Sequence, residues 1–260
     1  MTAGQVAHPP DTAGSIRFAD ILSAERMKIT TLPATWITLA IAFAVNTLLG
    51  VIAGTDAVRV AGQDGAVPIA QLGTLMLAPV YVFVAVAVFA AGSEYREGQL
   101  RVSLTAVPDR DRLFAAKLAA STTISLLASI PVVLPGYVLQ HAPAWGNGDA
   151  TAGDAAAGLA ALLVVYLLLS VIGYGFAGVS RSVVTPIAVL FITPVLISPA
   201  LQGSLPAVVR FLPHEAALSF LDLPLDPSMA IGRGAGLAVL TAWATVFAAA
   251  ARRFFVRRDS

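Results

Sequence analysis

Six long apolar runs, separated by shorter polar segments, dominate the pattern of the chain. A bilayer core about 30 Å thick is crossed by about 20 apolar residues in a helix. Each run is close to that length, so the pattern predicts an all-α membrane protein with a single transmembrane domain over residues 1–260. The predicted spans lie near residues 35–54, 71–92, 114–139, 156–178, 185–201 and 234–251. The fifth run holds Pro186, Pro194 and Pro199, which predict an irregular or kinked helix.

Two segments outside the spans are also patterned. Residues 15–30 have an apolar face opposite a charged face, which predicts an amphipathic helix in the membrane interface. The apolar face holds Phe18, Ile21, Leu22 and Ile29. Glu25 falls on the apolar face and is expected to pair with Lys28, one turn later. Residues 202–233 are half apolar and contain prolines, so short helices are expected on the outer side.

Composition supports a membrane protein and excludes several chemistries. Hydrophobic residues make up 57% of the chain and charged residues 12%, about half the usual share in soluble domains. The chain has no cysteine and only three histidines, each outside an apolar run. A disulfide, a thiol nucleophile and a metal site are therefore not expected. The net charge of +1 gives no reason to expect a nucleic-acid partner.

The distribution of lysine and arginine predicts the orientation. Thirteen of these residues flank the side that holds both termini, and three flank the other side: Arg59, Arg210 and Arg233. Cytoplasmic loops carry the excess of positive charge. We therefore expect both termini in the cytoplasm of a cell carrying this multi-pass protein in its plasma membrane. Lys117, the one lysine inside a predicted span, is expected to snorkel to the interface.

The chain offers no residues for an enzyme of its own. Neither lysine, Lys28 or Lys117, follows the glycines of a phosphate-binding loop. The predicted spans hold no histidine, aspartate or glutamate for an intramembrane protease. Ion-coupled transporters keep an ionisable residue within the bundle, whereas the most polar residue here is Asn46. If the chain transports, the energy is expected to come from another chain.

The segment between the second and third spans has the most distinctive pattern. Leu100, Leu104 and Val107 would share one face of a helix running from Glu94 to Val107, with charges on another face. Pro108 should end this helix, and Asp109 can cap the next. By itself, the pattern also fits a solvated connector between two spans.

The order Glu94-Tyr95-Arg96-x-Gly98-x-x-Arg101-x-x-Leu104, continuing to Lys117, resembles the permease subunits of type-2 ABC exporters. The run from Ser23 to Lys28 is similar to the N-terminal interfacial helix of that family. The run Phe211-Leu212-Pro213 is similar to the segment that precedes the last span in the family. Gln99 stands where the family usually has threonine, and Arg26-Met27 replaces a usual Trp-Thr pair. The resemblance implies that a coupling helix docks onto a separate ATPase through Glu94, Tyr95, Arg96, Glu97, Gly98, Arg101 and Leu104.

That resemblance also implies partners. The ATPase subunit would bind ATP and Mg²⁺, this chain would bind no cofactor, and a second permease copy would complete the path. Because Lys117, the one charge in the predicted spans, is expected to snorkel out, the walls of the path carry no fixed charge. The expected cargo is therefore lipophilic or amphiphilic. The alternative function is a membrane scaffold or immunity protein that binds a partner and transports nothing.

A stripe of small and polar residues along the first span is the candidate for close helix packing. Thr38, Asn46 and Gly50 recur at helical spacing, and Thr193 lies in the fifth span. Such stripes let membrane helices approach closely. The family resemblance points to the cargo path or the dimer seam, whereas contact with another span of the same subunit is an equally good interpretation.

Overall fold

The structure is a computed structural model that describes residues 16–55, 57–62, 65–95, 99–148, 151–223 and 226–257. In these residues, six helical stretches are long and apolar enough to cross a membrane, one at each predicted span. We number them spans 1 to 6: Pro33–Thr55, Gly73–Tyr95, Arg110–Gly146, Ala152–Ser180, Val184–Gln202 and Arg233–Arg257. The chain therefore has the composition and fold of a multi-pass membrane protein.

The helices follow in the order α1 to α12, with two strands after span 1. Ahead of span 1 lies α1 (Phe18–Thr31), and span 1 is α2 (Pro33–Thr55). Span 2 joins α3 (Gly73–Met76) to α4 (Ala78–Gly92) and ends in the 3-10 turn Ser93–Tyr95. The remaining α-helices are α5 (Gln99–Ala106), α6 (Arg110–Gly146), α7 (Ala152–Ser180), α8 (Val184–Ile192), α9 (Ser198–Gln202), α10 (Pro206–Val209), α11 (Pro213–Phe220) and α12 (Arg233–Arg257).

Span 3, formed by α6, is much longer than predicted. Its 37 residues rise about 55 Å, against a bilayer core of about 30 Å, so both ends extend past the apolar layer. Asp109 caps the helix, since its side chain accepts a 3.0 Å hydrogen bond from the backbone N–H of Arg112. The preceding helix, α5, ends at Ala106, ahead of Pro108.

Span 5 is irregular, as its prolines predicted. A π-helical stretch, Thr193–Ile197, joins α8 to α9. Pro194 and Pro199 each lack the N–H that a regular helix needs, and the wider turn accommodates the missing bonds. After this span, α10 and α11 lie in the segment where short helices were expected.

A small antiparallel hairpin follows span 1 and was not predicted. Its strands are β1 (Arg59–Gly62) and β2 (Gly65–Pro68), with Val60 opposite Val67. Four-residue strands with two valines in total give too weak an alternation for prediction from sequence.

Span 2 forms the centre of the bundle. In its most apolar window, 61% of residues are buried, compared with 17–33% in the other spans. The Phe83 ring packs edge-on against Tyr166 of span 4, with centroids 5.2 Å apart. Gly173 of span 4 faces Val84, and Gly175 faces the backbone of Phe247 in span 6, so a side chain at either glycine would clash. The other spans surround span 2 and keep faces free for lipid or a partner.

Candidate functional site

The first helix, α1, lies against the ends of spans 2 and 3. Its buried residues are Ile21, Glu25 and Ile29, spaced at i, i+4 and i+8 on one face. Ile21 packs with Leu113 and Ala116 of span 3, and Ile29 packs with Val86 of span 2 and Ala120 of span 3. Of the predicted apolar face, Ile21 and Ile29 make the contacts with the bundle. Phe18, on the same face, is 38% exposed, and Leu22 is only partly buried.

The carboxylate on the buried face of α1 meets a lysine inside the bundle. Lys117 lies two turns into α6, and its Nζ is 2.9 Å from Glu25 Oε2. It also pairs closely with Oε1 of Glu94, at the end of span 2. All three residues are at most 7% exposed. Lys117 was expected to snorkel to the interface, but it is buried and its ammonium is paired with these two carboxylates.

A fourth residue, Lys28, connects this group to α5. Its Nζ lies 2.7 Å from Glu25 Oε1 and 3.3 Å from Glu94 Oε1, so the predicted Glu25–Lys28 pair is confirmed. The same ammonium donates to Ser103 Oγ of α5 at 3.1 Å. We call Glu25, Lys28, Glu94 and Lys117 the charge cluster. It contains two acids and two bases, so its formal charges cancel.

Burial and the two carboxylates shift the pKa of Lys28 in opposite directions. Its burial lowers the pKa, but the hydrogen bond to Glu25 and the charge of Glu94 raise it more, and the net result is a raised pKa. Lys28 therefore stays cationic at neutral pH. A cavity of about 220 Å³ adjoins the cluster and extends to Tyr174 of span 4.

The short helix α5 is tied to the same elements by apolar contacts. Leu104 and Val107 pack against the group formed by Ile21 and Leu113. On the other side of α5, Val102 is 72% exposed, the highest value among the large hydrophobic side chains of the described residues. The helix thus has one face on the protein and one apolar side chain pointing away from it.

The predicted helix from Glu94 to Val107 is wrong in its N-terminal half. Glu94 and Tyr95 belong to the 3-10 turn Ser93–Tyr95, and α5 begins only at Gln99. Glu94 is therefore directed into the charge cluster instead of lining α5. Arg96, Glu97 and Gly98 lie outside the described residues, and Arg101 lies within α5. That these residues dock an ATPase stays a prediction.

Tyr95 makes a contact that the sequence did not indicate. The guanidinium of Arg181, 5.7 Å from the ring centroid, lies over the Tyr95 ring. Arg181 follows span 4 with a left-handed backbone, φ 52°. Gly92 lies against Ser182 and Val183, so close that a side chain there would clash. The end of span 2 is thus held between the charge cluster and the connection from span 4 to span 5.

The polar stripe of span 1 packs within the subunit. Asn46 Nδ2 donates 3.1 Å hydrogen bonds to the carbonyls of Val132 and Val133 in span 3. Gly50 touches the backbone of Gly136, so any side chain at either position would force the helices apart. For Asn46 and Gly50, the structure therefore provides the intrasubunit contact that the sequence left open.

The other two stripe candidates bond within their own helices. Thr38 donates to the carbonyl of Ala34, and Thr193 to that of Val189, each at 2.7 Å. Their assignment to a path or a dimer seam stays a prediction.

A buried histidine at the far end was also missed. His214 of α11 is 2% exposed, and its Nδ1 lies 2.6 Å from the hydroxyl of Tyr81 in span 2. Burial lowers the pKa of His214 to about 4. Its neighbour Glu215 has a raised pKa because of burial, against which a hydrogen bond from Ser198 acts. Among the described residues, no cluster of metal-binding side chains occurs.

No protein-family model matches the chain, and no curated protein matches it in sequence. Its function must therefore be argued from the charge cluster, from α5 and from the motif beginning at Glu94.

Proposed function

We propose that this chain is the membrane-spanning permease subunit of an ATP-driven exporter of the type-2 ABC class. It would work with a separate ATPase subunit, which supplies the ATP and Mg²⁺ site, and with a second permease copy. Both termini would lie in the cytoplasm. The observation that carries the proposal is the position of Lys28, which contacts α5 and the buried carboxylates of the charge cluster at once.

A permease of this class needs a surface element that receives movement from the ATPase, and α5 has the required properties. It is short, it lies at the end of the bundle that carries α1 and the C-terminus of span 6, and Val102 projects from it. If a partner protein docks on α5, Val102 is removed from water, and this burial favours binding.

The charge cluster would pass that movement to the spans. A displacement of α5 acts on Lys28 through Ser103, and on Ile21 and Leu113 through Leu104. Lys28 and Glu25 then act on Glu94 in span 2 and Lys117 in span 3. Because interactions between buried charges are strong and depend on geometry, these spans are expected to move with α1.

The cargo expectation follows from the faces of the bundle. Spans 1 and 5 expose large apolar side chains, including Ile37, Phe43 and Phe191, all more than 40% exposed. Such faces can line a seam with a second copy and a path for a lipophilic or amphiphilic molecule.

The proposal predicts that a P-loop ATPase without membrane spans is encoded beside this chain, and the test is binding to that subunit. Val102→Glu places a charge on the outward face of α5 and should weaken co-purification about tenfold or more, because a desolvated interface charge is costly. Ala24→Glu, on the exposed face of α1, is the matched control and should bind normally.

Normal binding by the Val102→Glu chain would refute α5 as the docking element. If the wild-type chain binds no ATPase subunit at all, the alternative of a membrane scaffold or immunity protein gains support.

A further inference from the structure

A second cavity, of about 140 Å³, lies far from the charge cluster between spans 1, 3 and 4. Its inner wall includes Asn46 and Gly50 of span 1 and Gly136 of span 3. Asn46 lies nine residues before the end of α2 at Thr55, or about 14 Å along the helix axis. This part of the cavity is therefore at the depth of the hydrocarbon layer.

The other end of the cavity is polar and basic. Gln140 and His141 of span 3 and Arg233, the first residue of span 6, line it. Among the described residues, the Gln140 amide, His141 Nε2 and the Arg233 guanidinium make no hydrogen bond or ion pair, and the described lining contains no carboxylate. Arg233 also begins a 25-residue helix, whose N-terminus favours an anion.

The walls between these two ends are apolar. Leu49, Leu77 and Leu162 come from spans 1, 2 and 4, and Leu221 and Leu223 from the segment after α11. A ligand that fits has an apolar part directed toward Asn46 and an anionic group beside Arg233. On the cytoplasmic side of membranes, basic pockets between helices bind anionic lipid head groups. The same attraction of opposite charges acts on an anionic lipid at Arg233, on the side predicted to be external.

We propose that this cavity binds one anionic phospholipid of the surrounding bilayer, with its phosphate at Arg233 and part of an acyl chain between spans 1, 3 and 4. The site is separate from the charge cluster and does not depend on an ATPase partner. Its failure would therefore leave the proposed exporter function untouched.

The first experiment is native mass spectrometry of the purified chain with equal amounts of phosphatidylglycerol and phosphatidylcholine. We expect phosphatidylglycerol to bind about fivefold more tightly, the contribution of one basic residue near an anionic head group. Arg233→Gln should remove this preference, and Arg233→Lys should keep most of it. Because Arg233 is exposed, neither change should disturb folding. Arg59→Gln, in β1, controls for general surface charge.

A second measurement locates the lipid. The Trp145 ring lies 6.2 Å from that of His141, centroid to centroid, so it reports on the polar end of the cavity. In a chain with Trp36→Phe and Trp243→Phe, brominated phosphatidylglycerol should quench Trp145 more than brominated phosphatidylcholine does. Three results would each overturn the proposal: equal quenching by the two lipids, no preference for phosphatidylglycerol in the mass spectra, or a loss of that preference in Arg59→Gln as large as in Arg233→Gln.

Discussion

Replacing Lys117 by methionine tests the charge cluster most sharply. The change keeps the length of the side chain but leaves Glu25 and Glu94 buried with only Lys28, whose side chain is 45% exposed. A single pair at the 2.9 Å separation of Lys117 and Glu25 is worth about 6 kcal/mol at an effective dielectric constant of 20. Removing the lysine also removes the cost of burying its charge, which offsets part of this Coulomb energy. We therefore expect Lys117→Met to lower the free energy of unfolding by about 3–5 kcal/mol.

The matched control is Asp111→Asn, which breaks an exposed pair. Arg252 and Asp111 also lie 2.9 Å apart, but their side chains are 63% and 53% exposed. Solvent screening limits such a pair to about 1 kcal/mol or less. The two sites share the 2.9 Å pair distance but differ in burial and in the number of charged partners.

The assay is thermal unfolding of the detergent-purified chains, followed by tryptophan fluorescence. At about 2–4 °C per kcal/mol for a chain of this size, Lys117→Met should lower the midpoint by about 10 °C, and Asp111→Asn by about 2 °C. Adding Glu25→Gln to Lys117→Met removes one stranded carboxylate and should recover part of the loss. Equal losses for Lys117→Met and Asp111→Asn, or strict additivity in the double variant, would refute a strongly coupled buried cluster.

Three further predictions concern the rest of the molecule. Because the pKa of His214 is lowered from 6.5 to about 4, only the unfolded chain gains a proton in this range, so stability should fall by about 3 kcal/mol from pH 6.5 to 4. His214→Gln should flatten this decline, which is measured by unfolding at a series of pH values. Glu215 has a raised pKa, so its protonation stabilises the folded state as the pH falls, in the wild-type chain and in the variant alike. Gly136→Val should separate spans 1 and 3 and lower yield and melting temperature without changing ATPase binding, and normal stability would contradict the close contact with Asn46 and Gly50. For orientation, Asn147→Cys should react with an impermeant thiol reagent added outside cells and Ala106→Cys should not, since the chain has no native cysteine; the reverse result would invert the topology.

The spans could be predicted because they depend on hydrophobicity summed over about 20 residues. Six apolar runs give six helices, and the prolines of the fifth run mark its π-helical stretch. The ends were less predictable: α6 continues through polar residues at both ends, because capping by Asp109 and contacts with α1 hold its first turns. The hairpin after span 1 depends on pairing between short strands, which leaves little trace in composition.

The candidate site was predictable in parts. Glu25 on an apolar face and Lys117 inside a span were both visible as charges in the wrong environment, and the structure pairs them. The sequence could not indicate that Glu94 joins them, because a helical continuation from span 2 would have turned it toward α5. The 3-10 turn at Ser93–Tyr95 changes that direction. Lys28–Ser103 was also hidden, since it joins residues far apart in the chain.

The most direct test of the central claim is ATP hydrolysis by a reconstituted complex of this chain with the ATPase subunit that the proposal predicts. In liposomes, lipophilic compounds should stimulate hydrolysis in the wild-type complex. Lys117→Met, which leaves the exposed face of α5 intact, should still bind the ATPase subunit but lose the stimulation. If stimulation persists undiminished in that variant, the charge cluster does not couple α5 to the spans. If no compound stimulates the wild-type complex and no compound is moved, the chain is not an exporter subunit.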